Sequence, residues 1–432
     1  MPNYLARAQI FGLWDDNRTV DITFDTNFNF IIGKNGTGKT TVINLIAAAL
    51  TADFERLDKI PFTKIILGLK PVKGRLKPSI EISKTRKPHL PYYDISYKIK
   101  SSATGETKVF DLDALEEERS YRGSPPRNLR ERQVRDTFLF IKTELASIVD
   151  VSWLSVHRHN NNERLYDDRD RRIVLSSVDQ KLETMKISLG RYFSGLATRF
   201  SEETLNFQKT SFLSLITIHT DGDIRDFAEK TDIVSERKSL ESILELLQVD
   251  QRKYHKHLDR LVAQFTDARK PLVEKKGVTL LQLSSIIQAY KSHSLVQLYE
   301  ELQEIKKVIF SPRENFLLVL NGLFHPRKRI SLSEENELVV RNINDTKVEL
   351  EDLSSGEKQL FILLGQALLQ ESKPVIFIAD EPELSLHVEW QELLTNAIAK
   401  LNRNAQIIFA THSPDIVGSH GEQIIEMEQF FK

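Results

Sequence analysis

The sequence contains no cysteine, so neither a disulfide nor a thiolate-ligated metal can be invoked. No window approaches the ~20 apolar residues that a membrane helix needs. The start, MPNYLARAQIFGLWDDN, lacks an apolar stretch of signal-peptide length and carries charge early. These absences predict a cytoplasmic location and no membrane partner. Nor is there a surplus of charge of one sign: 60 Lys and Arg stand against 61 Asp and Glu. No overall basic character therefore points to a polyanion. The balance is uneven along the chain, with twelve basic against five acidic residues over 51–100 and five against thirteen over 351–432. An ordinary solvated surface and a basic face opposite an acidic half both accommodate that pattern. At 432 residues the chain can supply core for two or three domains.

Residues 28–46 read FNFIIGKNGTGKTTVINLI. A β-favouring apolar run enters a Gly-rich turn, and Val42, Ile43, Leu45 and Ile46 continue at helical spacing. Gly33, Gly38, Lys39 and Thr40 fit G-x-x-x-x-G-K-[ST] at every position. Backbone N–H groups of such a loop wrap a phosphate, the lysine faces the β and γ phosphates, and the Thr40 hydroxyl can ligate Mg2+. The expected nucleotide contacts are Gly33, Lys34, Asn35, Gly36, Thr37, Gly38, Lys39, Thr40 and Thr41.

Three further stretches lie more than 300 residues downstream. VIFIADEPE (375–383) is a continuous apolar strand ending in acids: Asp380 is placed to hold Mg2+, and Glu381 to orient and deprotonate a water. QIIFATHSP (406–414) is a second apolar strand, running into His412, whose imidazole can hydrogen-bond a γ-phosphate or the attacking water. DLSSGEKQL (352–360) sits where a helix begins, since Leu360, Phe361, Leu363, Leu364, Ala367 and Leu368 recur at helical spacing. Serine is a preferred N-cap, and a first helical turn offers N–H groups to an anion.

Together these stretches resemble the head of the ABC-type ATPases, over roughly 1–70 and 330–430. Gly33 to Thr40 resemble the Walker A loop, 375–381 the Walker B strand with its catalytic glutamate, and His412 the switch histidine. Residues 353–357, LSSGE, resemble the signature motif, with Ser355 where glycine is usual and Glu357 as in the SMC and RecF branch. Glu383 to His387 occupies the D-loop position. The resemblance implies an α/β fold, a mixed sheet flanked by helices. It also implies ATP and Mg2+ as ligands, with Glu381 and His412 catalytic and Thr40 and Asp380 on the metal. In that family the signature helix caps the γ-phosphate held by a second head, so Ser354, Ser355, Gly356 and Glu357 are expected against the nucleotide of another copy. A head-to-head dimer of identical chains follows, since there is no second P-loop.

P-loop and signature are about 320 residues apart, which calls for an insertion. Apolar stripes over 240–265 and 283–305 suggest two helices forming an antiparallel hairpin of roughly 40 Å at ~1.5 Å per residue, with Pro271 ending the first run. The expected organisation is an N-terminal lobe over 1–175, a helical insertion over 176–325 and a C-terminal lobe over 326–432. The family's Q-loop glutamine is missing; His157, Arg158 and His159 stand there instead, and nothing nearby completes a metal site with the two histidines. Phe11 and Trp14 fall where many ABC ATPases stack an aromatic on the base, and where core residues of a first strand would also fall.

Inserted helices together with LSSGEKQ, DEPELSLH and THSP resemble the OLD-like ATPases of bacterial anti-phage systems, among them the ATPases of PARIS and Septu systems. OLD enzymes carry a Toprim nuclease after the ATPase, whereas this chain runs about eighteen residues beyond Pro414. The resemblance thus implies a Toprim-type nuclease as a separate effector and a phage-derived trigger. The alternative is a RecF-like clamp on duplex DNA, with Lys59, Lys64, Lys70, Lys73, Arg75, Lys77, Lys84, Arg86 and Lys87 as its surface.

Overall fold

The structure, a computed structural model, describes residues 3–14, 18–72, 74, 77–86, 93–101, 107–111, 139–155, 177–217, 221–274 and 276–430. Its fold is α/β, and the chain divides into two compact units, Met1–Gly190 with Asn315–Lys432, and Arg191–Glu314.

Among the described residues the first unit holds three sheets. The strands β1 (Asn3–Phe11), β2 (Thr19–Thr23), β4 (Lys64–Pro71), β5 (Ser79–Arg86), β6 (Tyr93–Lys100) and β7 (Thr107–Asp111) form an antiparallel sheet in the order β2-β1-β4-β5-β6-β7. Burial alternates along β4, as expected of a sheet with one face on the core. The second sheet is parallel, in the order β14-β3-β13-β12-β8, from β3 (Phe28–Ile32), β8 (Val151–Ser155), β12 (Val375–Asp380), β13 (Ala405–Ala410) and β14 (Ile424–Glu426). Every residue of β12 and of β13 is buried, which is why both read as apolar rather than alternating, Asp380 and Gln406 being their buried polar residues. The remaining sheet is small, β9 (Lys328–Leu332), β10 (Leu338–Asn342) and β11 (Lys347–Val348).

The helix Lys39–Thr51 binds the two large sheets into one core. Its Val42, Ile43, Leu45 and Ile46 belong to an apolar cluster with Leu5 and Ile10 of β1, Ile65 and Leu67 of β4, and Ile376 and Ile378 of β12. Burying each such side chain stabilises by about 1.5–3 kcal/mol, so the loop before this helix is mounted on a firmly anchored element. The helix Ser355–Leu369 is also buried along most of its length; Phe361 meets Phe316 edge to face, and Gly365 lies against Met185 and Leu189.

The second unit, Arg191–Glu314, lies inside the segment 176–325 expected as an insertion. It holds the helices Asp221–Lys230, Ile233–Leu246 and Gln251–Val273, and parts of Ser177–Ile216 and Leu280–Phe324. Phe227, Ile233, Phe265 and Ala289 form a small core, with the Phe227 ring against Phe265 and Tyr290. The stripe over 240–265 is not one helix. Gln248 takes a left-handed φ of 56° that ends the first, and the Asp250 side chain accepts from the Arg252 N–H to cap the next. Pro271 does not end the run either, since Gln251–Val273 passes through it. No helix among the described residues is long and apolar enough to cross a membrane.

Candidate functional site

The parallel sheet decides what meets at the site. β13 lies between β3 and β12, and its register pairs Asp380 with Ala410 and Ala410 with Ile31. Three chain segments therefore leave the carboxyl edge side by side: the loop after β3, the acids after β12 and Thr411-His412-Ser413 after β13. Carboxyl ends of parallel strands are where open α/β sheets bind ligands.

In the loop after β3, Gly38 has φ 84° and immediately precedes the helix Lys39–Thr51, which has no side-chain cap on its first-turn N–H groups. The φ favours glycine, and a Cβ on Gly38 would stand 2.2 Å from the Trp14 indole and displace it. Lys39 is only 5% exposed and its Nζ donates to the carbonyls of Gly33 (2.8 Å) and Lys34 (3.0 Å). Burial lowers its pKa, and the fields of Glu381, Glu428, Asp380 and Glu383 oppose that without cancelling it.

Asp380, 1% exposed, accepts a 3.1 Å hydrogen bond from Thr40 Oγ1. A hydroxyl and a carboxylate oxygen at this spacing are hard oxygen donors, the type Mg2+ takes when it is shared between protein and phosphates. Uncapped helical N–H groups, a cradle whose φ favours glycine, a buried lysine and this oxygen pair fit a nucleoside triphosphate with Mg2+.

Glu381 follows with φ 48°, a left-handed conformation uncommon for a non-glycine residue. Its N–H is held by the Ala410 carbonyl at 2.8 Å, so the strain is fixed by the sheet and redirects the side chain at the strand end. Its Oε1 is 4.0 Å from Nε2 of His412. That is too long for a hydrogen bond, so neither side chain consumes the other.

The structure thus brings Lys39, Thr40, Asp380, Glu381 and His412 to one edge. It also brings Glu383, from the D-loop position, Trp14, named above beside Phe11, and one residue outside every motif, Glu428. Glu383 Oε1 accepts from both the Thr411 hydroxyl (2.7 Å) and the His412 N–H (2.8 Å). Glu428, from the turn after β14, accepts from the Lys34 N–H at 2.7 Å, and that bond, with the nearby positive charges, holds its carboxyl below the usual range. The Trp14 indole, 40% exposed, rests on the loop at Gly38 rather than in the interior.

At the signature start, Ser354 and Ser355 are exposed. Gly356 is buried there: a Cβ on it would lie 2.3 Å from the Ser385 carbonyl oxygen, so the helix start rests directly on the D-loop backbone. Glu357 does not join an exposed nucleotide-facing rim. Its carboxylate accepts from the Ser354 N–H (2.8 Å) and pairs with Lys328 (2.6 Å), while its own N–H bonds Ser354 Oγ. This is a reciprocal capping box, and the glutamate serves the fold of the motif.

His157, Arg158 and His159 lie outside the described residues, as do Lys73, Arg75 and Lys87. Of the remaining basic residues, Lys84 is buried and donates to the carbonyls of Leu57, Asp58 and Ile60, and Lys64 pairs with Glu81.

Residues 28–418 match the family described as "AAA domain, putative AbiEii toxin, Type IV TA system". An uncharacterized protein of Dictyostelium discoideum is 28% identical over 134 residues, which is 29% of this chain; the chain spans 17% of that relative's length. Similar solved structures include an Smc head domain with an extended coiled coil bound to the C-terminal domain of ScpA, from Pyrococcus furiosus. It has TM-score 0.45 and 14% identity, covering 98% of this chain and 93% of that one. Another is an Smc head with a coiled coil and joint from Pyrococcus yayanosii, at TM-score 0.40 and 14% identity, covering 98% and 95%.

Proposed function

The chain belongs to this AAA-domain family, and from that premise we propose that it binds and hydrolyses ATP as the sensor and scaffold subunit of a bacterial anti-phage system. The observation that carries the reading is the convergence of Lys39, Thr40, Asp380, Glu381 and His412 at the ends of three neighbouring parallel strands. Lys39 and the loop from Gly33 to Thr41 hold the β and γ phosphates. Thr40 and Asp380 would hold Mg2+, whose charge, once bound, offsets that building on the phosphate oxygens. Glu381 takes the proton of the attacking water. His412 donates a hydrogen bond to a γ-phosphate oxygen, where charge builds as the water attacks.

Two copies close head to head, each offering Ser354, Ser355 and the Gly356 N–H to the γ-phosphate held by the other. The exposed serines at an N-terminus whose dipole favours an anion support this part. The state of the dimer then carries the signal: a phage-derived trigger shifts it, and a separate Toprim-type nuclease is held or released. An ATPase of the PARIS or Septu kind fits this description. The clamp on duplex DNA draws little support from the basic strands, where Lys84 is buried and Lys64 and Lys98 both face Glu81.

The test is a pull-down of tagged Glu381→Gln with ATP, analysed for protein and nucleic acid, beside Lys39→Ala. Glu381→Gln is expected to retain ATP, persist as a dimer and bring down a stoichiometric nuclease; Lys39→Ala is expected to lose all three. Salt-sensitive duplex DNA with no protein would instead favour the clamp. Wild-type hydrolysis rates in Glu381→Gln would remove Glu381 as the base.

A further inference from the structure

The geometry points to Glu383 as the positioning residue that sets His412, with Gln391 as its companion, so that the D-loop and the segment after β13 move as one body. This rests on the ATPase reading above and adds to it a residue and a coupling.

His412 has little else to place it. Its imidazole is 38% exposed, and the carboxylate beside it, Glu381, is 4.0 Å away. Its position therefore follows from its backbone, and the backbone N–H of His412 ends on Glu383 Oε1 at 2.8 Å. The same oxygen takes the hydroxyl of the fully buried Thr411 at 2.7 Å. Two donors from adjacent residues on one carboxylate oxygen restrict both the position and the rotation of the segment, and bonds to an ionised acceptor are the stronger kind. The arrangement also separates the roles of the two neighbouring acids. Glu383 Oε1 is committed to its own chain and Glu383 Oε2 is buried without a hydrogen-bond partner among the described residues, whereas Glu381 is left to act on water.

Gln391 completes the body from the other side. It accepts from the Ser413 hydroxyl at 2.6 Å and donates to the Leu386 carbonyl at 2.8 Å, bridging the segment after His412 to the D-loop. The D-loop is in turn pressed against the signature helix, with the Ser385 carbonyl at Gly356.

The experiment uses the full chain and two readouts. Hydrogen exchange without nucleotide follows the His412 amide; steady-state hydrolysis, with titration of a fluorescent ATP analogue, follows function. In Glu383→Ala the His412 amide is expected to lose protection and kcat to fall by roughly 10²-fold, the scale of a misplaced catalytic group. Affinity for the analogue and KM should change by less than about threefold, because uniform binding is untouched. Combining Glu383→Ala with His412→Ala should cost little beyond His412→Ala alone, since both act through the imidazole. Glu383→Gln keeps an acceptor and should recover most of the protection and rate; it also serves if the alanine variant does not fold. Unchanged His412 exchange, or multiplicative losses in the double variant, would overturn the inference while leaving the ATPase reading intact. A wild-type chain that neither binds nor hydrolyses ATP would overturn both.

Discussion

Gly356→Ala tests the close approach between the signature helix and the D-loop. An alanine Cβ would stand 2.3 Å from the Ser385 carbonyl oxygen and 3.3 Å from its carbonyl carbon. Ordinary contact needs about 1 Å more than the first of these, and the obstacle is backbone rather than the end of a flexible side chain. Relief requires the helix or the D-loop to shift, an overpacking cost of about 1–3 kcal/mol. Against this, alanine is favoured over glycine inside a helix by roughly 1 kcal/mol. Gly356→Ala is therefore expected to destabilise by about 0–2 kcal/mol. Gly322 supplies the control: it belongs to the same unit, in the last turn of the helix Leu280–Phe324, and a Cβ there meets nothing within 4 Å. Gly322→Ala should stabilise by about 0.5–1 kcal/mol. The assay is urea unfolding of both variants and the parent, read by the change in midpoint at constant slope. Equal stabilisation at both positions would refute the packing argument.

Two other expectations concern the same motif. Ser354→Arg, mixed with wild-type chains, should depress hydrolysis more than in proportion to its share, because in the head-to-head dimer proposed above the blocked helix start serves the other copy's nucleotide; strictly proportional loss would argue for independent sites. Burial pushes the Glu357 carboxyl up, but the bonds from Lys328 and Ser354 outweigh it and leave the pKa below the usual value. A depressed carboxylate contributes stability that is present above its unfolded pKa, about 4.3, and is lost as pH falls through the lower folded value. Glu357→Gln should remove that part of the acid sensitivity. It should also cost about 1–3 kcal/mol near neutrality, because the partly exposed Lys328 then meets a neutral amide oxygen in place of a carboxylate. An acid-unfolding curve unchanged by the substitution would show that the pair contributes nothing.

Much of the site was legible because its parts are contiguous. The phosphate loop announces itself by glycines and a lysine within eight residues, flanked by an apolar strand and an amphipathic helix. The acids after β12 and the histidine after β13 each end an apolar run. The helical insertion was legible in outline only, because a periodic stripe does not reveal a left-handed residue such as Gln248 or a proline tolerated in a last turn. Ser354 as a cap was readable from a serine standing just before an apolar run at helical spacing. That Glu357 turns inward was not, because Lys328 is 29 residues away.

Local burial pattern, backbone freedom and capping suffice to make the loop after β3, its strand and its helix out of contiguous residues. Which segments become neighbours is settled at long range. Parallel register of β12 with β13 sets the residues after Asp380 beside those after Ala410, and so gives Glu383 the Thr411 hydroxyl and the His412 amide as donors. A carboxylate accepts from any donor within reach. Which donors those are depends on strand order and register, long-range outcomes of packing the two large sheets around the helix Lys39–Thr51.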